Sequence, residues 1–441
     1  MNAIRRLFRS SQEIPQQYRS NFAHLGADLG WYGVLNGSLI AFLAIYATRL
    51  GASGVEIGLI NAVPAVISLM FALPASRWLE NKPAGQSVFW TSIYTRVFYV
   101  LLIPLPFIFK PQGQIWAIIL ITLLMTIPNI ANTVAFFNLF AEVVPMEWRG
   151  YVAGLRNAIF SIVTIIITLI CGEILVKVPF PVGYQIVFGI GALGAAMSSY
   201  HIWFLRHITT RPNTSAVQAE ISSGEGAAEG FLPLHGGRKS PRKFLPINRL
   251  AQKLGLGDLG IIRGPFGKVV LLLFGFHLAQ FLGVPIFPLY TVNVVHFSDQ
   301  VLSIGVGVFN TMVFFGSMQL ARLTPRLGNR RIMGIGILIV AFYPVLMTVT
   351  TNVWIYVVTS IIGGTGWSFV NGVLYNYLLE KVPEGPRQAH LAWYNVGLNA
   401  AILIGSLTGP ALVHQFGFIA ALLVCAAARL FSGVAILRWG D

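Results

Sequence analysis

The chain has 441 residues, 55% of them hydrophobic and 10% charged, with a mean hydropathy of +0.71. Soluble chains carry roughly 25% charged residues, so a water-soluble enzyme or binding module is excluded. The net charge of +15 does not indicate nucleic acid, because Lys and Arg lie mainly in alternate loops between long apolar runs, the distribution that fixes orientation in a membrane.

In chain order, residues 1–21 form a polar, basic segment with Arg5, Arg6 and Arg9. The apolar run that follows is too long for the h-region of a signal peptide. Six apolar runs come next, near 22–48, 56–75, 88–109, 114–140, 152–176 and 182–205, and residues 22–207 read as one six-helix bundle. Each run is long enough to cross roughly 30 Å of hydrocarbon as a helix. Residues 208–264 are polar, rich in Ser, Gly and Ala at first and basic at Arg238, Lys239, Arg242 and Lys243, and read as a linker. Six further runs, near 267–292, 301–321, 332–350, 353–378, 390–412 and 417–437, make a second bundle over 265–441. The runs are numbered below as spans 1 to 12. Cys171 and Cys425 lie inside spans 5 and 12 and read as small core residues, with no disulfide framework and no metal site.

With the first residue inside, the inner loops hold Arg77, Lys82, Arg149, Arg322, Arg326, Arg330, Arg331, Lys381 and Arg387, while the outer loops hold Arg49, Lys110 and Lys177. That asymmetry predicts a multi-pass protein of the cell membrane with both termini and the linker cytoplasmic.

The two bundles repeat each other. After span 4 the chain reads NLFAEVVPMEWR, and after span 10 it reads NYLLEKVPEGPR. One frame superposes Asn138 on Asn376, Glu142 on Glu380, Pro145 on Pro383, Arg149 on Arg387 and Asn157 on Asn395. A second frame pairs Asn61 with Asn310 and Arg77 with Arg326. Six spans separate the copies, so both have the same orientation and the expected pseudo-two-fold axis lies along the membrane normal.

Twelve spans as six plus six, joined by a long basic loop, resemble the major facilitator superfamily over nearly the whole chain. The loop after span 8, Leu323 to Arg331, fits that family's Gly-x-x-x-Asp-Arg-x-Gly-Arg-Arg type motif except that Pro325 stands at the Asp position. The loop after span 2 is more degraded, with Ser76 at that position. The resemblance implies an all-α membrane fold of two six-helix bundles and a carrier that works as a monomer. It also implies a central cavity lined by spans 1, 4, 7 and 10. Loss of both aspartates puts the family's usual inter-half latch in doubt. Gly405 to Pro410 in span 11 resembles an antiporter motif that the family carries in span 5, and reads here as close helix packing.

Ionisable groups inside hydrocarbon need partners or water. Asp28 in span 1 falls at a depth similar to Arg96 in span 3, with Arg156 in span 5 somewhat shallower. Asp28 in such a setting serves proton coupling, holds a cationic group of the substrate, or forms a static ion pair. His277 in span 7, with Gln280 on the same helical side, reads as a cavity residue or as a neutral histidine bonded across a helix interface. On the implied cavity-lining spans, Trp31, Tyr32, Asn36, Asn129, Asn132, Thr133, Trp367, Asn371 and Tyr375 are the remaining candidates for substrate contact, and amides with aromatics suit a moderately polar or amphipathic solute. Arg77, Glu142, Arg149, Arg326, Glu380 and Arg387 at the inner helix ends are candidate gating charges.

These features predict a secondary transporter that moves a small solute by alternating access through a lipid bilayer, with protons as an open coupling ion. A sensor or scaffold on a carrier fold is the alternative. A membrane enzyme is disfavoured: no HExxH, CxxC, P-loop or Gly-x-Ser-x-Gly pattern occurs, and no cofactor is implied.

Overall fold

A computed structural model of the chain describes residues 15–79, 82–206, 260–382 and 387–440. The segment 1–14 and the linker from 207 to 259 lie outside the described residues, and so does the side chain of Arg387.

Among the described residues, nine helices are long and apolar enough to cross a membrane. Two of them hold two spans each. Asp299–Thr348 turns back at Gly328 (φ 75°, ψ 157°), and Arg387–Trp439 turns at Gly417 (φ 79°, ψ 169°). Those backbone angles are open essentially to glycine alone. The expected loops between spans 8 and 9 and between spans 11 and 12 thus shrink to tight reversals, each at a single non-helical glycine between two helices. Span 3, Ala84–Leu101, completes twelve and carries Ser87, Thr91, Ser92, Thr95 and Arg96 among its buried residues, which lowers its hydropathy. It ends eight residues earlier than its apolar run, and a separate turn of helix, Leu105–Ile108, follows Pro104. A helical turn, Gly260–Arg263, occupies the end of the stretch read as linker.

Two spans are broken in mid-course. Span 1 runs Gln16–Leu35, widens to a π-helical stretch at Asn36–Ile40, and continues as Ala41–Arg49. Span 7 runs Pro265–Gly283 and resumes at Ile286–Asn293 after Pro285, where a proline lacks the N–H that would continue the ladder. Span 2 is Gly54–Leu79, span 4 Pro111–Val143, span 5 Arg149–Lys177, span 6 Val182–Leu205 and span 10 Val353–Glu380.

The chain forms two six-helix bundles, spans 1–6 and 7–12. Glycines bring their backbones together. A Cβ on Gly33 or Gly37 of span 1 would lie 3.0 and 2.6 Å from the carbonyl oxygens of Phe160 and Thr164 on span 5. Span 11 meets span 7 in the same way, with Gly405 against Leu278 O and Gly409 against Leu282 O. This close approach substitutes dispersion contact for the hydrophobic drive that lipid does not supply.

The bundles meet along three helix pairs: span 5 with span 8, span 2 with span 11, and span 1 with span 7. Exchanging the halves maps the first pair onto the second, as the sequence repeat requires. Gly54 of span 2 faces Pro410 of span 11, and Gly172 of span 5 faces Ser303 of span 8. In the two frames of the repeat, Gly54 corresponds to Ser303 and Gly172 to Pro410, so one packing solution is used twice.

Candidate functional site

The alternation of spans defines two faces. The terminal face holds the starts of spans 1 and 7 and the ends of spans 6 and 12; the distal face lies opposite. One apolar core runs through both bundles in the distal half, joining Leu39, Tyr46, Ile57 and Val187 with Ile286, Leu289, Leu302 and Tyr356. In the terminal half the core divides. Leu25, Val88, Leu139 and Trp148 belong to a cluster made only of the first bundle, and Leu273, Ile337, Tyr377 and Tyr394 to one made only of the second. The halves are therefore sealed at one face and parted at the other.

Charges reinforce the seal. Arg49 at the end of span 1 donates to Asp299 Oδ1 at 3.0 Å and to the Phe297 carbonyl at 2.5 Å, across the two bundles. Gln300 donates to Glu173 Oε2 at 3.0 Å, again between bundles. Sequence reasoning left Arg49 as a loop charge and passed over Asp299, because a pair so far apart in the chain has no spacing to reveal it. Glu56 is buried, accepts from Ser53 N and Oγ at 2.8 Å and from Gln112 at 2.5 Å, and closes a capping box at the start of span 2. Ser53-x-x-Glu56 was the readable signal.

The first bundle buries an ionic cluster. Asp28 lies between two guanidinium groups, with Arg96 Nη2 at 3.7 Å and Arg156 Nη2 at 3.5 Å. Ser198 of span 6 donates to the same carboxylate. Arg96 also donates to Ser199 at 2.5 Å and Ser198 at 2.7 Å, while Arg156 donates to the Leu25 carbonyl at 3.0 Å and lies over the Phe136 ring. One carboxylate thus serves two arginines from different helices. Arg156 also lines a cavity of about 270 Å³ between spans 1 and 5, with Arg19 and Tyr151.

A second cavity, of about 250 Å³, lies in the other bundle, lined by Gln280, Phe287, Phe309, Tyr343, Trp367 and Arg429 among others. Of the candidates for substrate contact, Gln280 and Trp367 are on its wall. His277 is turned toward span 11, where Nε2 lies 3.0 Å from the Tyr394 hydroxyl, and Tyr375 meets the edge of the same ring. Asn371 is half-buried on span 10. In the first bundle, Asn132 accepts from Thr91 at 3.2 Å, Thr133 bonds back to Asn129 O at 3.0 Å, and Tyr32 stacks on Phe160. Trp31 is half-buried, and its carbonyl meets the backbone of Gly194 on span 6. Asn36 opens the π-helical stretch.

The charges at the terminal face stay within their own bundles in these contacts. Arg149 donates to the carbonyls of Ala141 and Val144 at 2.8 and 3.1 Å and caps the end of span 4. Asn329 donates to Glu380 at 2.6 Å. Both carboxylate oxygens of Glu142 are buried without a hydrogen bond among the described residues, and Arg77 and Arg326 are exposed.

The model of the Major Facilitator Superfamily matches residues 22–388 and again 269–441. No curated protein sequence matches the chain. Among solved structures, a point mutant of the nucleoside transporter NupG superposes with a TM-score of 0.64 at 13% identity, over 95% of this chain and 100% of that one. NupG itself gives 0.62 at 15% identity, over 95% and 99%. At such identities the likeness establishes the fold and leaves the solute open.

Proposed function

The chain belongs to the Major Facilitator Superfamily and is a membrane transporter, and on that premise we propose that it moves a small solute by alternating access. The observation that supports this most is the division of the core. A single distal cluster crosses both bundles, while the terminal half holds two separate ones. A carrier stopped with one gate closed has that form, and rocking about the central contacts would exchange the faces. The terminal face is the cytoplasmic one in this reading, on the bias of Lys and Arg toward its loops, and the working unit is one chain.

Asp28 is the candidate coupling group. Its partners Arg96, Arg156 and Ser198 all belong to the first bundle, so a rigid-body motion of one bundle against the other leaves them in place. That favours a structural clamp. The test is proton movement in proteoliposomes screened against a panel of solutes including nucleosides, with Asp28→Asn alongside. A static clamp predicts solute flux without protons, and a less stable Asp28→Asn protein. Solute-driven proton flux that Asp28→Asn abolishes in folded protein would establish coupling instead. Absence of flux for every solute would support the sensor reading.

A further inference from the structure

The strongest unassigned feature is Arg429, on span 12. It is the largest of the fully buried side chains, at 1% exposure, and it lines the cavity of the second bundle. Its guanidinium donates to three backbone carbonyls, Ala279 at 3.4 Å, Gln280 at 3.3 Å and Val340 at 3.3 Å. These bonds are long for N–H···O, whose usual separation is about 2.9–3.0 Å. No carboxylate among the described residues pairs with it. In the first bundle each buried arginine of the ionic cluster has Asp28; here the cation has dipoles only. A buried charge without a counter-ion is costly in a membrane and marks a functional site by default.

A neighbouring polar group also lacks a partner. Gln280 carries a buried Oε1 without a hydrogen bond and lies on the cavity wall. Gly283 makes room for the guanidinium, since a Cβ there would lie 3.1 Å from an Nη of Arg429 and 2.7 Å from the Phe287 ring. The rest of the wall is largely aromatic and apolar: Phe287, Phe309, Tyr343 and Trp367. The cavity lies within the second bundle, and its wall includes Gln280 of span 7 and Trp367 of span 10, two of the spans expected to line the solute path.

We infer that Arg429 is the anion anchor of the solute site, and that the solute carries a carboxylate or phosphate on an aromatic or apolar body. The planar guanidinium fork matches such an anion in bidentate fashion. The Gln280 side chain lines the same cavity, where its amide nitrogen can donate to the anion and its unpaired Oε1 can take a donor of the solute, and the aromatic wall takes the remainder. This rests on the transporter reading but is tested by binding, which needs no transport.

The probes are benzoate and phenyl phosphate, with neutral benzamide as control, followed by melting of the purified protein in detergent and by tryptophan fluorescence. Both anions are expected to raise the melting temperature and benzamide is not. Gln280→Glu places a carboxylate on the same wall. That protein should melt no lower than the parent and bind both anions at least about tenfold more weakly, a loss of roughly 1.4 kcal/mol. Should Gln280→Glu not fold, Arg429→Lys keeps the charge and loses the fork, and weaker phenyl phosphate binding is expected. An equal response to benzamide, or unchanged anion binding in the folded variant, would overturn the assignment. Stabilisation by dihexanoyl phosphatidic acid alone would overturn it too, by making Arg429 a lipid-headgroup contact. Anion binding without measurable flux would leave the site standing while the transport reading fell.

Discussion

At the level of single residues, the two bundles manage buried arginine differently, and the difference is measurable. Asp28 neutralises one of two guanidinium groups, so its removal takes the shared counter-ion from both Arg96 and Arg156, each buried. Removing the shared partner of a buried ion pair costs about 3–5 kcal/mol. Removing Arg96 alone leaves Asp28 still paired with Arg156. Asp28→Asn is therefore expected to lower stability by about 3 kcal/mol or more, and Arg96→Gln by clearly less. Thermal melting of the two variants in the same detergent checks the order, and equal losses would mean that Arg156 contributes little to holding Asp28. The sequence showed Asp28 and Arg96 at similar depth and Arg156 somewhat shallower, because charge is rare enough in apolar spans to stand out. It did not show that Asp28 reaches both arginines, nor that Ser198 and Ser199 complete the cluster, since serines in a membrane helix are common and their facing is set by packing.

At the level of elements, hydropathy revealed the spans because every backbone group in hydrocarbon must be bonded within a helix, which forces long apolar runs. It blurred the places where a helix turns without a polar loop. Gly328 and Gly417 reverse the chain inside runs that otherwise read as helix, and the helical signal continues on either side of each. A Cβ built on either glycine meets nothing within 4 Å, so the penalty for alanine there comes from the backbone alone. Gly328→Ala and Gly417→Ala are each expected to cost about 1–3 kcal/mol, read as a lower melting temperature. Two alanines without effect would show that these turns relax to ordinary angles. The breaks in spans 1 and 7 divide in the same way. Pro285 was visible, whereas nothing in Asn36-Gly37-Ser38 distinguishes a π-helical stretch from a regular turn.

For the whole molecule, the question is whether the sealed and parted faces exchange. The repeat in the sequence already implied two equivalent halves, and the twin contacts Gly54–Pro410 and Gly172–Ser303 show where they meet. The closure itself was not legible, because it depends on which contacts win between halves joined by a long linker. Gly172 is the place to shift that balance. A Cβ on it would lie 1.8 Å from Ser303 Oγ and 2.4 Å from Ser303 Cβ, so Gly172→Val cannot coexist with the distal seal as it stands. Alternating access predicts that the molecule escapes the clash by rocking open at the distal face and closing at the terminal face. The readout is cross-linking with a short bifunctional thiol reagent, after Cys171 and Cys425, both buried and free, are changed to serine. Arg49→Cys with Asp299→Cys reports the distal face, and Gly150→Cys with Arg326→Cys, at two exposed positions, the terminal one. In the parent background the distal pair should link and the terminal pair should not. In the Gly172→Val background the distal yield should fall and the terminal yield rise, each by up to about tenfold where the substitution shifts the ratio of the two states about a hundredfold, roughly 2.8 kcal/mol. A fall at the distal face with no gain at the terminal face would mean that the bundles separate without rocking, and alternating access would lose its structural basis here.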